Sequence, residues 1–127
     1  MVSRLQCLRF AEMVENVSGS GYTFAPEPSS SKGYCHVGLV NKKIKTYGGI
    51  SISSDGSIQF DVPQTGGGKG GPRVKRLLKD LLDCGCKESW VHDYTVIGGV
   101  SNPSYHIHGN CPPQARRCAV KKVLEEP

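Results

Sequence analysis

Residues 50–62, ISISSDGSIQFDV, carry the clearest structural signal in this 127-residue chain. Apolar and polar residues alternate on both sides of an Asp-Gly pair, which is the pattern of a β-hairpin with a short turn. We therefore predict that residues 50–52 pair with residues 58–62 across a turn at 54–57. This hairpin indicates an antiparallel sheet with one buried face.

Helical spacing of apolar residues predicts three helices, over residues 3–17, 72–83 and 112–125. The first follows a capping box of Ser3 and Gln6, and Gly19 is expected at its C-terminal cap. The second starts at Pro72 and ends at Gly85. We expect the apolar stripes of these two helices to include Leu5, Leu8 and Leu82.

Alternating patterns predict further strands at 34–40, 90–97 and 105–108, with a short one near 21–25, whereas 26–31 reads as a loop. Because hairpins predominate over β-α-β units, the predicted fold class is α+β. We expect a single small domain over residues 1–127. It would have a mainly antiparallel sheet of five to six strands and three helices packed on it.

The formal net charge of +5 favours acidic partners such as nucleic acid. No apolar run approaches the ~20 residues that cross a bilayer, and the N-terminal residues lack the apolar core of a secretion signal. We therefore expect no membrane association, a cytoplasmic location and reduced cysteine thiols. Unpaired sheet edges also favour a homodimer.

The stretch TGGGKGGPRVKRLLK, residues 65–79, joins a glycine-rich loop, expected to be flexible over 63–71, to a basic helix whose first acid is Asp80. Curled glycine backbone and free helix N–H groups bind anions. Cations in a first helical turn oppose the helix dipole, and a bound phosphate would relieve that conflict. A solvated linker with a solvated helix face is the competing interpretation.

The spacing of this loop matches neither a Walker A motif nor a dinucleotide-binding fingerprint. Our first hypothesis is therefore a non-enzymatic binder of nucleic acid or of a phosphate-bearing small molecule such as a nucleotide. Its predicted binding residues are Lys69, Gly70, Gly71, Arg73, Lys75, Arg76, Lys79, Arg116 and Arg117.

The C-terminal hairpin suggests an alternative, a small phosphodiesterase or nuclease that uses His92, Asp93, His106 and His108. If residue 92 pairs with 108, the histidines share one sheet face. If the register shifts by one, His108 faces Asp93, which would orient the imidazole for general base work. No catalytic role is assigned to any of the four from the sequence.

Cysteines in the same region allow a zinc set of Cys84, Cys86, His108 and Cys111. The C-x-C spacing is not that of a common zinc finger, so we assign no metal and no cofactor from it. A third hypothesis is a protein-interaction or inhibitor module of viral or mobile-element origin.

Overall fold

The computed structural model describes residues 2–24, 29–31, 33–65, 68–94 and 104–125. Three α-helices and seven β-strands lie within these residues. The helices are α1 (Arg4–Val17), α2 (Pro72–Cys84) and α3 (Arg116–Leu124), the last preceded by a 3₁₀ turn at Pro113–Ala115. The strands are β1 (Tyr22–Phe24), β2 (Ser29–Ser31), β3 (Tyr34–Asn41), β4 (Tyr47–Ser53), β5 (Ile58–Gln64), β6 (Glu88–Tyr94) and β7 (Ser104–Cys111).

All strand pairs are antiparallel, and the sheet has the order β1-β3-β4-β5-β7-β6, with β2 pairing beside β1 on β3. The α+β prediction is confirmed. The strand count exceeds the prediction because Ser29–Ser31, expected in a loop, pairs with β3. In the described part of the chain, no helix has the length and apolar character needed to cross a bilayer.

The β4–β5 hairpin forms as predicted, with Ile50 opposite Phe60 and Ile52 opposite Ile58. Its turn is held by Asp55 Oδ1, which accepts from the Ser57 N–H at 2.9 Å and from its hydroxyl at 2.6 Å. A glycine with φ of 86° follows Asp55, which is the backbone conformation that makes Asp-Gly a turn signal.

One face of the sheet packs against the three helices, and together they form a single apolar core. We call this face the inner face. Phe10 and Val14 of α1, Leu77 and Leu81 of α2, and Val123 of α3 are all buried in this core. The prediction for three other leucines is wrong, since exposure reaches 57% for Leu5, 48% for Leu8 and 69% for Leu82. Cys7 takes the buried position between the first two.

The helix ends follow the predicted signals in part. Ser3 Oγ accepts from the Gln6 N–H at 3.1 Å, but the Gln6 side chain reaches Ser54 O at 3.4 Å and does not close the capping box. Gly85 ends α2 in the left-handed conformation, with φ of 100°. Ser18, and not Gly19, caps α1, and its conformation is extended.

All six cysteines form disulfides, which link Cys7 to Cys35, Cys84 to Cys118 and Cys86 to Cys111. The expectation of reduced thiols is therefore wrong. The first bond joins α1 to β3, the second joins α2 to α3, and the third joins the segment just before β6 to the last residue of β7. Three separate cross-links thus fasten all three helices and the β6 edge of the sheet to the core.

Candidate functional site

All four histidines of the chain lie on the outer face of the sheet, which is the face opposite the helices. Strand alternation puts them there, because adjacent residues in β3, β6 and β7, such as Val37, Val91 and Ile107, pack in or against the core. Cys35, for example, forms its disulfide on the inner face while His36 is exposed on the outer one.

The register of the C-terminal hairpin differs from both predicted alternatives. His92 lies opposite His106, and Trp90 lies opposite His108. This register is displaced by two residues from the first alternative, so the histidines still share one face. Asp93 lies opposite Tyr105, which is buried in the core, so it cannot orient either histidine of β7. Because side chains alternate between the two faces of a strand, the predicted role of Asp93 in orienting the His108 imidazole is wrong.

Another carboxylate, Asp61 of β5, contacts these histidines instead. His108 lies opposite Asp61 in the β5–β7 pair. The Nδ1–H of the buried His106 donates a hydrogen bond to Asp61 Oδ1, and His108 Nε2 lies 3.8 Å from the same oxygen. The Asp61 side chain is 45% exposed, so this carboxylate hydrogen-bonds one imidazole, lies near a second and still reaches solvent.

The pKa values of Asp61 and His108 are both lowered. Burial raises the pKa of the Asp61 carboxyl, but the hydrogen bond from His106 and the nearby histidine charges together lower it below its usual value. Burial also lowers the pKa of His108, and the neighbouring histidines add to this effect against the attraction of Asp61. At neutral pH the site therefore combines an anionic carboxylate with a neutral imidazole.

Aromatic contacts extend the cluster towards the sheet edge. The ring of Trp90 stacks on His108 with a centroid distance of 5.2 Å and an interplanar angle of 6°. His92 lies 5.9 Å from His108, and His106 lies 6.4 Å from it, again between ring centroids. Trp90 remains 45% exposed despite the stack.

His36 approaches this cluster from the other side, over a glycine. Gly49 lies opposite Asp61, and a Cβ on Gly49 would come within 2.1 Å of His36 Cε1. The His36 ring therefore occupies the space above Gly49, and its Nδ1 lies 3.0 Å from Ser51 Oγ. The pairing of β4, β5, β7 and β6 aligns Gly49, Asp61, His108 and Trp90 in one row.

A groove of about 410 Å³ runs along this row. We call it the outer groove; its lining includes His36, Tyr47, Gln59, Asp61, Trp90, His108 and Asn110. Tyr47 is 77% exposed and Trp90 is 45% exposed. Imidazoles, a carboxylate, amides and aromatic rings thus face a single open space.

Sequence reasoning found His106 and His108 but missed His36, Asp61 and Trp90 as members of one site. The pairing of β5 with β7 brings Asp61 to the histidines. No local sequence pattern predicts that two strands will pair when their residues are more than 40 positions apart in the chain. One sequence feature could have indicated Asp61. Gln59 and Asp61 are the polar residues that alternate with the apolar ones of the predicted hairpin, so they were expected on the sheet face that points away from the core.

The predicted phosphate-binding residues lie elsewhere, on the helical side of the sheet. Lys69, Gly70, Lys75, Arg76, Lys79 and Arg117 are exposed. Gly71 is the buried N-cap of α2 and has no side-chain cap bond. Glycines 66 and 67 lie outside the described residues, and Gly68 has a φ of 69°. Pro63 and Gln64, predicted in the flexible loop, belong to β5.

Two of the predicted binding residues make structural contacts. Arg73 donates to the Oε1 of the buried Gln64 at 3.0 Å and to Glu125 O at 3.2 Å. Gln64 in turn donates to Val123 O at 2.6 Å. Arg116 donates to Gly56 O at 3.3 Å. Arg73 thus connects α2 with β5 and the end of α3, so we assign it a role in the fold.

The zinc set is excluded on chemical grounds, since Cys84, Cys86 and Cys111 are oxidised in disulfides and supply no thiolate. Among the described residues, no group of three or more histidine, cysteine or acidic side chains could hold a metal ion. His108 belongs to the outer groove.

Comparisons of this chain with protein-family models, with curated proteins and with solved structures found no match.

Proposed function

We propose that the outer groove binds single-stranded RNA and cleaves its phosphodiester bonds by acid–base catalysis. One observation carries the proposal: His36, Asp61, His108 and Trp90 line one groove that spans five consecutive strands of the sheet, β3, β4, β5, β7 and β6. Two imidazoles on either side of a carboxylate are suited to move protons to and from a phosphodiester held between them.

RNA is the substrate that such a pair serves most directly, because its 2′-hydroxyl is a built-in nucleophile. A neutral His108 would take the proton of that hydroxyl as the oxygen attacks phosphorus. The P–O5′ bond would then break, leaving a 2′,3′-cyclic phosphate, and a protonated His36 would donate its proton to the departing 5′-oxygen. The Asp61 carboxylate, 3.8 Å from His108 Nε2, would stabilise the protonated form of His108 by charge attraction.

The separation of the two histidines suits these roles. The His36 ring lies over Gly49 of β4, and β4 and β7 are the two neighbours of β5. Two interstrand spacings amount to about 10 Å, which leaves room for a phosphodiester between the imidazoles. The hydrogen bond from His106 offsets part of the charge of Asp61, and this reduces its repulsion of the phosphate.

Exposed aromatic side chains support a single-stranded substrate. Tyr47 and Trp90 present ring surface in the groove, and unpaired bases stack on such rings in a sequence-tolerant way. Gln59 and Asn110 also line the groove and offer amide groups to base edges. The net charge of +5 favours the approach of a polyanion.

We further propose that this protein works in an oxidising compartment, in place of the cytoplasm expected from the sequence. Three disulfides in 127 residues are unusual for a protein kept among reduced thiols. Counting the alkylated cysteines by mass spectrometry, in protein purified with an alkylating agent present throughout, tests this proposal. Six blocked thiols per chain would contradict it.

The cleavage proposal is tested with labelled single-stranded RNA and DNA of the same sequence. We expect RNA to be cut and DNA, which lacks the 2′-hydroxyl, to stay intact. His36→Gln and His108→Gln should each abolish most of the activity. His92→Gln is the matched control, because His92 shares the face but does not line the groove. Equal rates for all three variants, or no cleavage of RNA, would reject the proposal.

A second candidate function is non-enzymatic binding of nucleic acid by α2. The exposed Lys75, Arg76 and Lys79 lie on one side of this helix, and Lys69 precedes it. We expect binding of uncleavable DNA to weaken steeply with salt and to be lost when Lys75, Arg76 and Lys79 are replaced together by Gln. Replacing Lys42, Lys43 and Lys45, in the β3–β4 turn, is the control of equal charge. Equal losses in the two triple variants would reject a specific α2 surface.

A further inference from the structure

A second pocket lies on the helical side of the sheet, remote from the outer groove. It has a volume of about 280 Å³ and lies between α1, the β4 residue Ile52 and the start of α3. Its apolar lining includes Leu5, Phe10, Met13 and Ile52. Leu5, which was predicted to lie in the apolar stripe of α1 but is exposed, thus forms part of the wall of this pocket.

Two arginines, Arg9 of α1 and Arg116 of α3, line the same pocket, and none of the described residues that line it is acidic. Arg9 makes no ion pair or hydrogen bond with any residue that the structure describes. Arg116 donates one hydrogen bond, to Gly56 O at 3.3 Å, and a guanidinium has five donors. Both cations therefore have donors to offer an anion in a pocket that they line together with apolar side chains.

We propose that this pocket binds a small amphiphilic carboxylate, with its hydrocarbon part against the apolar wall and its carboxylate between Arg9 and Arg116. Guanidinium groups bind carboxylates through paired, charge-assisted hydrogen bonds. The start of α1 borders the pocket at Ser3. The partial positive charge of a helix N-terminus also favours an anionic ligand there.

The volume sets the size of the ligand. A pocket of about 280 Å³ lies just below the ~300–1,000 Å³ range of small-molecule sites, so it suits a small ligand. A straight-chain carboxylate of eight carbons, octanoate, is a probe of this class. A long-chain fatty acid would extend out of the pocket, so we expect short and medium chains to be preferred.

Calorimetric titration of the intact, disulfide-bonded protein with octanoate tests the proposal, with 1-octanol as the uncharged probe of equal length. We expect octanoate to bind at least about tenfold more tightly than 1-octanol, and Arg9→Gln to weaken octanoate by about tenfold or more. Arg4→Gln is the matched control, since Arg4 is an exposed arginine of the same helix outside the pocket lining.

The pocket itself is tested by Met13→Trp, which places a large side chain in the cavity and should abolish binding of octanoate. Far-ultraviolet circular dichroism and the urea midpoint show whether Met13→Trp is folded. If that variant is unfolded, the comparison of Arg9→Gln with Arg4→Gln still tests the proposal. Equal affinity for octanoate and octanol, equal effects of Arg9→Gln and Arg4→Gln, or no binding of octanoate at millimolar concentration would each overturn the proposal. None of these results depends on RNA cleavage.

Discussion

Substitution of Gly49 by alanine is the most specific perturbation of the outer groove, because it displaces one imidazole without removing it. The added Cβ would lie 2.1 Å from His36 Cε1 and 2.5 Å from its Nε2. Carbon atoms in favourable contact are ~3.5–4.0 Å apart, so the ring must shift by roughly 1.5 Å. Misplacement of a catalytic group by ~1 Å can lower a rate about 100-fold.

The stability of Gly49→Ala should change little. His36 is exposed, so its ring can move away at low cost, and alanine in a strand gains ~0.5–1 kcal/mol over glycine. The third contact of the new Cβ, Val37 O at 3.1 Å, offsets part of that gain. We expect the unfolding free energy to stay within about 1 kcal/mol of the original value, while RNA cleavage falls about 100-fold.

The assay compares initial cleavage rates with urea unfolding for Gly49→Ala and for Gly70→Ala. Gly70 is the matched control, because a Cβ there has no atom within 4 Å, and its variant should keep full activity. In a His36→Gln background, Gly49→Ala should have no further effect on the rate. A Gly49→Ala protein with undiminished activity would refute the role assigned to His36.

Four further outcomes are expected. Asp61→Asn should lower the cleavage rate at least about tenfold and the unfolding free energy by about 1 kcal/mol, since Asp61 is half exposed; equal rates in initial-velocity assays would contradict this. Arg73→Ala should cost roughly 1–3 kcal/mol in urea unfolding because it removes a donor to a buried glutamine, whereas Lys75→Ala should stay within ~0.5 kcal/mol. Burial lowers the pKa of His108 from 6.5, so the unfolded chain takes up that proton first and stability should fall as the pH drops below 6.5. His108→Gln should flatten this part of a plot of urea midpoint against pH, and an unchanged slope would contradict the assignment. Reduction of the disulfides, whose cysteines are 25 to 34 residues apart, should remove roughly 3–4 kcal/mol for each bond and unfold the chain in a thermal melt monitored by circular dichroism.

The elements that sequence patterns predicted well are those whose information is local. The β4–β5 hairpin needed only alternation and an Asp-Gly turn, and α2 needed only an apolar stripe between Pro72 and Gly85. The errors arose where tertiary contacts outweigh the local pattern. Leu5 and Leu8 fit the helical stripe of α1, but Cys7 is the residue joined to β3.

The candidate site was predictable only in part, for the same reason. Alternation indicated that His106 and His108 share a face, and this is correct. Asp61 and His36 reach them through pairings of β7 with β5 and of β5 with β4, which join distant parts of the chain. The disulfides were also missed, because the pairing of cysteines depends on distances that spacing along the chain does not fix.

The measurement that tests the central claim most directly is the chemical identity of the RNA fragments. Mass spectrometry of single-stranded RNA incubated with the protein should show new 2′,3′-cyclic phosphate termini. These termini should be absent with His108→Ala purified in the same way, and absent when the RNA carries 2′-O-methyl groups. Intact RNA, or the same fragments from the His108→Ala protein, would contradict the assignment of the outer groove as an acid–base site.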